Sequence, residues 1–353
     1  MSELNSSVCA TVALLLAASA CGGVTETGVG AGIGGSTSSM MSGPVNNGVS
    51  GSAVSGGGVT PVPTKTSSEA IVTLSTAAKA PSGLVVDASS VYFTDFGYNA
   101  MGGLFKTPIT GGSTQQLASL DLPAGLALSG QNLYVSAASA LLQTDLDGKN
   151  AVTLATTFSN DPIVLGPSAV YGTDGFGAAI VSVALTGGSV SALTSDGALS
   201  DSSFESYGLA VDQTSVYFTT FSEPMSIMKV SLNGGMLEVL TQSAGPGGGI
   251  AIDAASVYWA DASGLWKISK LGGTPQQLSS VPCGFLGGIA LDASNVYWTS
   301  ASTVQRVALG GGPTVTLVDN QDGPSVIALD DHSVYWANGA ESGAGVIMKA
   351  TPK

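Results

Sequence analysis

The side chains best equipped for chemistry in this chain are carboxylates set among aromatics. They gather as Asp95 with Tyr98, Asp174 with Phe176, Phe204 with Glu205 and Tyr207, and Phe221 with Glu223, and they are joined by Asp261 and Glu341. An aromatic face attracts a cation and a carboxylate supplies full charge, so such groups suit a cationic peptide, an amine, a divalent ion or a sugar. Hard cations prefer oxygen ligands, so a metal-assisted lyase or hydrolase built on Asp and Glu alone is the enzymatic alternative. A divalent cation is the one cofactor this set would accommodate. The third reading is a solvated acidic rim on a structural surface protein that has no ligand.

Other chemistries find little to work with. The single histidine, His332, stands in Asp330-Asp331-His332-Ser333, a polar turn. No set of Cys and His has zinc-site spacing. A Ser-His-Asp triad would have to use His332, and no Gly-x-Ser-x-Gly elbow accompanies it. The many glycines fall in low-complexity or hairpin contexts, and none forms a Walker A loop. Lys and Arg total 10 against 24 Asp and Glu, a net charge of -14. Phosphate neutralisation needs clustered cations, so nucleic acid is excluded as a partner. An unidentified protein, peptide or glycan remains.

The elements that must position these groups repeat along the chain. Tyr92, Tyr134, Tyr171, Tyr217, Tyr258, Tyr297 and Tyr335 recur about every 40 residues, a propeller-type period. Gly stands nine places before the tyrosine in five copies: Gly83, Gly125, Gly208, Gly249 and Gly288. Each copy reads as a short apolar strand, a polar turn, a strand rich in aromatic and β-branched residues, a loop, a third strand, a Gly-Gly turn and a fourth strand. The fold class that follows is all-β: a seven-bladed propeller of four-stranded antiparallel blades over residues 69–353. The last copy stops at its third strand. Ala70-Ile-Val-Thr-Leu-Ser75 matches Pro313-Thr-Val-Thr-Leu-Val318, a fourth strand. Strand 70–75 is therefore predicted to pair with strand 345–350 and close the ring. Loops between second and third strands, and between blades, share one face, the top, where all the carboxylate–aromatic candidates fall. His332 falls at the bottom.

A second pattern runs through the copies. Five residues before the tyrosine stand Asp87, Ser129, Gly166, Asp212, Asp253, Asp292 and Asp330; in the third strand stand Lys106, Gln143, Ser182, Lys229, Lys267, Arg306 and Lys349. Aspartate and base are present together or absent together, which predicts an ion pair within or between blades; independent drift of copies 2 and 3 is the competing explanation.

Val257-Tyr-Trp-Ala-Asp261, Val91-Tyr-Phe-Thr-Asp95 and Ile227-Met-Lys-Val-Ser-Leu-Asn-Gly234 resemble the repeats of YWTD-type extracellular propellers. The copies also resemble NHL-type repeats and, more distantly, streptogramin-lyase-like propellers. These likenesses imply the fold; the first group is usually six-bladed. The lyase-like propellers use a histidine with acidic metal ligands. His332 is at the wrong end for that role, so no catalytic residue carries over.

The N-terminal region carries an address. Val12 to Ala20 is an apolar run too short to span a bilayer. Leu16-Ala-Ala-Ser-Ala-Cys21 resembles a bacterial lipobox, with Ala18 where that motif usually has Leu. The resemblance implies that residues 1–20 form a lipoprotein signal peptide and that Cys21 is lipidated as the first mature residue. A plain secretory signal cut near Ala20 is the alternative. Residues 22–68 are Gly, Ser, Thr, Val and Pro with almost no charge, the composition of a disordered linker. The expected location is extracytoplasmic, lipid-anchored to a bacterial membrane at the outer membrane or cell surface, or otherwise secreted. The membrane is met only through the anchor. The functional expectation is non-catalytic binding or scaffolding through the acidic, aromatic top face.

Overall fold

The structure, a computed structural model, describes residues 64–65, 70–97, 101–159, 161–174, 179–194, 208–220, 225–243, 247–284, 287–339 and 344–353. All of them belong to the unit Val62–Lys353. Seven antiparallel four-stranded blades form a ring, and no helix appears among the described residues. Blades 1 to 6 span 81–120, 123–155, 164–192, 209–243, 247–279 and 289–318. Blade 7 takes Ile327–Leu329, Val334–Asn338 and Val346–Thr351 from the C-terminal end of the chain and Ala70–Ser75 as its outer strand. In that pairing Ala70 lies opposite Thr351, Ile71 opposite Ala350 and Val72 opposite Lys349. The predicted closure is therefore present, and it removes the two free edges that an open ring would leave.

The first strands run from top to bottom nearest the axis, and the Gly-Gly hairpins sit at the bottom. Each Gly-Gly pair holds positive φ, for example 80° and 133° at Gly111 and Gly112, values that side-chain-bearing residues rarely adopt. The first-strand glycines answer a different constraint. A Cβ on Gly125 would lie 2.5 Å from the Asp161 carbonyl oxygen of blade 3, and one on Gly208 would lie 2.7 Å from the Ile250 nitrogen of blade 5. Neighbouring blades touch backbone to backbone here, so the recurrence of Gly nine places before the tyrosine is a close-approach requirement. Hydroxyls two places after the tyrosine stitch the same seam. Ser136 Oγ donates to Asp161 O at 2.7 Å, and Thr299 Oγ1 donates to Ser325 O at 2.7 Å.

The core is a set of interfaces between blades. Tyr297, Val304, Leu317 and Val318 of blade 6 pack with Val334, Trp336 and Ala350 of blade 7. Leu74, Tyr335, Ala337 and Ile347 of blade 7 pack with Leu84, Val91 and Phe93 of blade 1. Trp259, Trp298 and Trp336, one column of the repeat, are all fully buried.

One expectation is corrected. The aspartate and the third-strand base do not form a direct ion pair; in blades 1, 5 and 7 both engage the tyrosine, and in blades 4 and 6 the cation over the ring is Lys270 or Lys353. Asp253 Oδ1 accepts the turn N–H groups of Ala255 and Ser256, both at 2.7 Å, and Oδ2 accepts the Tyr258 hydroxyl at 2.8 Å. Lys267 Nζ lies 5.2 Å from the centroid of the same ring and donates to Leu309 O of blade 6 at 3.1 Å. Asp87, Asp212, Asp292 and Asp330 bind their tyrosines in the same way. The ion pairs that do involve these aspartates come from the next blade: Lys270 with Asp212 at 2.8 Å and Lys353 with Asp292 at 3.2 Å. Thr64 and Lys65 pair in parallel with Val315 and Thr316 on the outer strand of blade 6. That strand is an open edge with unpaired backbone groups, which any extended segment satisfies regardless of composition.

Candidate functional site

The top of the ring is built from connections between second and third strands and between blades. Of the eleven residues read as ligand-binding, Asp95, Asp174 and Asp261 lie among the described residues; Tyr98, Phe176, Phe204, Glu205, Tyr207, Phe221, Glu223 and Glu341 lie outside them, as does Cys21. Asp95 is buried at the end of its strand. Its Oδ1 accepts the N–H of Ala80 at 2.8 Å and of Gly97 at 3.2 Å, and its Oδ2 accepts the N–H of Lys79 at 3.0 Å. It clamps the connection from blade 7 to blade 1. Asp261 is fully buried. Its Oδ1 accepts the N–H and hydroxyl of Ser263 at 2.7 and 2.6 Å and the Trp266 indole N–H at 3.2 Å. These two carboxylates close loops, because a strand end with free N–H groups recruits the nearest short acceptor. Asp174 stays half-buried at the end of Ala169–Thr173, with its N–H donated to Ala179 O at 3.1 Å.

Other acids sit closer to solvent. Asp121 and Asp322, in the connections from blade 1 to 2 and from blade 6 to 7, are exposed, and Asp319 is half-buried. The sequence places these three on the top face through their position in blade-to-blade connections, although they are not among the eleven candidates. Asp161 accepts hydroxyls from Ser159 and Thr173 and is engaged within its own loop. Lys79 is the one cation at this end among the described residues, and it is exposed. Apart from Lys65, beside the outer strand of blade 6, the remaining described Lys and Arg lie in third strands or just after them, at the bottom. The top therefore presents carboxylate oxygens with little compensating charge.

The connection from blade 6 to 7 is held rigidly. Trp336 Nε1 donates to Asn338 Oδ1 at 2.9 Å and to Gln321 Oε1 at 3.1 Å, and Asn338 Nδ2 donates to Gln321 Oε1 at 2.8 Å. This brace sets the loop that carries Asp319 and Asp322. The corresponding indole nitrogens of Trp259 and Trp298, and the Thr219 hydroxyl, are buried without a hydrogen-bond partner.

The described residues contain no group of three or more His, Cys, Asp or Glu arranged to hold a metal ion. Burial pushes the Cys283 thiol up to about 12, with the Asp261 charge adding to it, so the sulfur is protonated at neutral pH and poorly nucleophilic. His332 is exposed in the bottom turn of blade 7; its N–H bonds Asp330 Oδ1 at 2.7 Å. Among the described residues, the exposed carboxylates of these top-face connections are Asp121 and Asp322.

No family model matches the chain, and no curated protein matches its sequence. Solved structures share the fold. YCF48 from Cyanidioschyzon merolae is 13% identical over 79% of this chain and 98% of its own, with a TM-score of 0.58. BamB from Moraxella catarrhalis is 13% identical over 77% of this chain and 85% of its own, with a TM-score of 0.52. The extracellular domain of a hybrid two component system from B. thetaiotaomicron is 14% identical over 79% of this chain and 39% of its own, with a TM-score of 0.60. At such identities the likeness establishes the propeller and leaves activity to the site.

Proposed function

We propose that this propeller is a non-catalytic binding or scaffold protein outside the cytoplasm, that it is anchored by a lipid on Cys21, and that its top face takes a cationic protein segment or peptide. The observation that carries the reading is the separation of charge between the two ends of the ring. Cations are spent at the bottom, where Lys270 and Lys353 neutralise Asp212 and Asp292, while Asp121 and Asp322 stand exposed at the top. A rigid frame of uniform sign focuses potential into its mouth and favours a partner of opposite charge. The extracellular origin of one structural neighbour agrees with this address.

Titration calorimetry with a Lys-rich peptide and a Glu-rich peptide of equal length tests the reading. The basic peptide binds, more weakly as salt rises, and Asp121→Asn with Asp322→Asn weakens it further. A protein that ignores the basic peptide, or is stabilised by calcium or magnesium instead, overturns it.

A further inference from the structure

We propose that the bottom of blades 4 and 5, around Met236 and Leu271, rests on the membrane surface that holds the anchor. This rests on the lipoprotein reading above and adds an orientation to it. Among the described residues Met236 and Leu271 are the two most exposed large apolar side chains, at 94% and 92%. The others of this kind lie along outer strands, as Ile71, Val72, Val152 and Val239 do, or at the top, as Met101 does.

The repeat itself serves as the control. The residue before the Gly-Gly pair is Thr110, Thr186 or Asn233 in blades 1, 3 and 4, and Leu271 in blade 5. The residue after it is Ser113, Ser189 or Thr274 in blades 1, 3 and 5, and Met236 in blade 4. Blade 5 has exchanged two neighbours. Lys270 occupies the slot held elsewhere by Ile109, Leu146, Leu185, Leu232 and Leu309, and it reaches Asp212 over the Tyr217 ring. The leucine is thereby displaced to the solvent position.

One ammonium group joins the two hairpins. Lys229 Nζ bonds Lys270 O, next to Leu271, at 2.9 Å, and Glu238 Oε1, two residues from Met236, at 3.1 Å. The two exposed side chains therefore stand on linked, neighbouring hairpins of one face. Isolated exposed apolar residues need no explanation, but a pair built at neighbouring hairpins of one face does.

The course of the chain selects the membrane as the occupant. Ala70 pairs with Thr351 at the bottom of blade 7, so the chain reaches the ring at that end. Thr64 opposite Val315 enters blade 6 from the same end. A Gly/Ser-rich chain as long as residues 22–63 would span about 35 Å, which allows contact. Charge agrees with this choice. The bottom holds nearly equal numbers of cations and carboxylates, whereas the top is strongly acidic and would be repelled by anionic lipid.

Methionine oxidation in the intact chain tests the orientation, because it follows exposure and Met101 at the top is an internal reference. The full-length acylated protein is reconstituted into phosphatidylethanolamine–phosphatidylglycerol vesicles, treated with dilute peroxide and read by peptide mass spectrometry. Met236 oxidation slows about fivefold or more relative to Met101, compared with the Cys21→Ser chain mixed with the same vesicles. Leu271→Asp in the anchored chain removes most of that protection. An acylated N-terminal peptide with Met236 unprotected overturns the orientation alone. An absent acyl mass overturns the anchor and the orientation with it. Protection of Met236 in the Cys21→Ser chain without vesicles assigns the patch to a second copy and also overturns the proposal.

Discussion

Removing the side chain of Leu74 tests the closure of the ring. Leu74 lies far in sequence from Tyr335 and Ile347, yet it is 3% exposed and packs with them and with Val91 and Phe93. Leu317 in blade 6 holds the same place in its repeat and is 1% exposed. Each Leu→Ala change removes three buried carbons and leaves a cavity, which costs about 3 kcal/mol at well-packed sites. At about 2–4 °C per kcal/mol for chains somewhat shorter than this one, Leu74→Ala lowers the melting temperature by roughly 6 °C or more. Leu317→Ala does the same, and the double variant loses close to the sum, because the two cavities open between different pairs of blades. Scanning calorimetry of the three variants checks this. If Leu317→Ala behaves as stated and Leu74→Ala melts with the wild type, the outer strand of blade 7 does not close the ring.

The remaining predictions concern the repeat. Tyr335→Phe removes a phenol held by Asp330 at 2.6 Å and costs about 1.5 kcal/mol in urea unfolding, whereas Tyr134→Phe, in a copy without the aspartate, costs less; equal losses would show that the carboxylate adds nothing. For Asp292, burial is outweighed by the turn N–H groups, Tyr297 and Lys353, which hold its carboxyl at about 2; Asp212 is held low against burial by Lys270 and its turn. A carboxyl depressed in the folded state contributes stability above its unfolded pKa, so this stability is lost as pH falls from about 4 towards 2. Burial and the aspartates push Tyr217 and Tyr297 up to about 12. Their neutral form is favoured in the fold, so stability is full below about pH 10 and declines from there towards 12. A urea midpoint that stays level through both windows contradicts these assignments. Gly125→Ala drives a Cβ against the Asp161 carbonyl and lowers the melting temperature by several degrees, while Gly310→Ala, with nothing within 4 Å and no positive φ, is neutral or slightly stabilising. A tolerated Gly125→Ala would mean that the inner strands do not approach as closely as described.

Most of the architecture was readable before any coordinates, and particular residues explain why. A propeller repeats one local unit, so seven tyrosines at a steady period count seven blades. The likeness of 70–75 to 313–318 marks a fourth strand displaced to the other end of the chain. The top face was less readable. Asp95 and Asp261 look like candidates in sequence because an acid beside an aromatic reads the same whether it faces a ligand or closes a turn. The hydrogen bonds to Ala80, Gly97, Ser263 and Trp266 show that they close turns. The correlation of aspartate with base does not distinguish a salt bridge from a shared tyrosine, and in blades 1, 5 and 7 the tyrosine gives its hydroxyl to one and its ring face to the other.

By itself, then, the sequence determined the blade count, the strand order, the hairpin glycines and the seam at residues 70–75. These follow from short-range periodicity and from matching one copy against another. The tertiary structure decided which carboxylates are consumed by the loops, that Lys270 and Lys353 reach back to the preceding blade, that the first-strand glycines admit a neighbouring backbone, and that Lys229 joins the hairpins that carry Met236 and Leu271. These contacts join residues through loop closure or through differences between one copy and the next, and a common repeat pattern does not specify either.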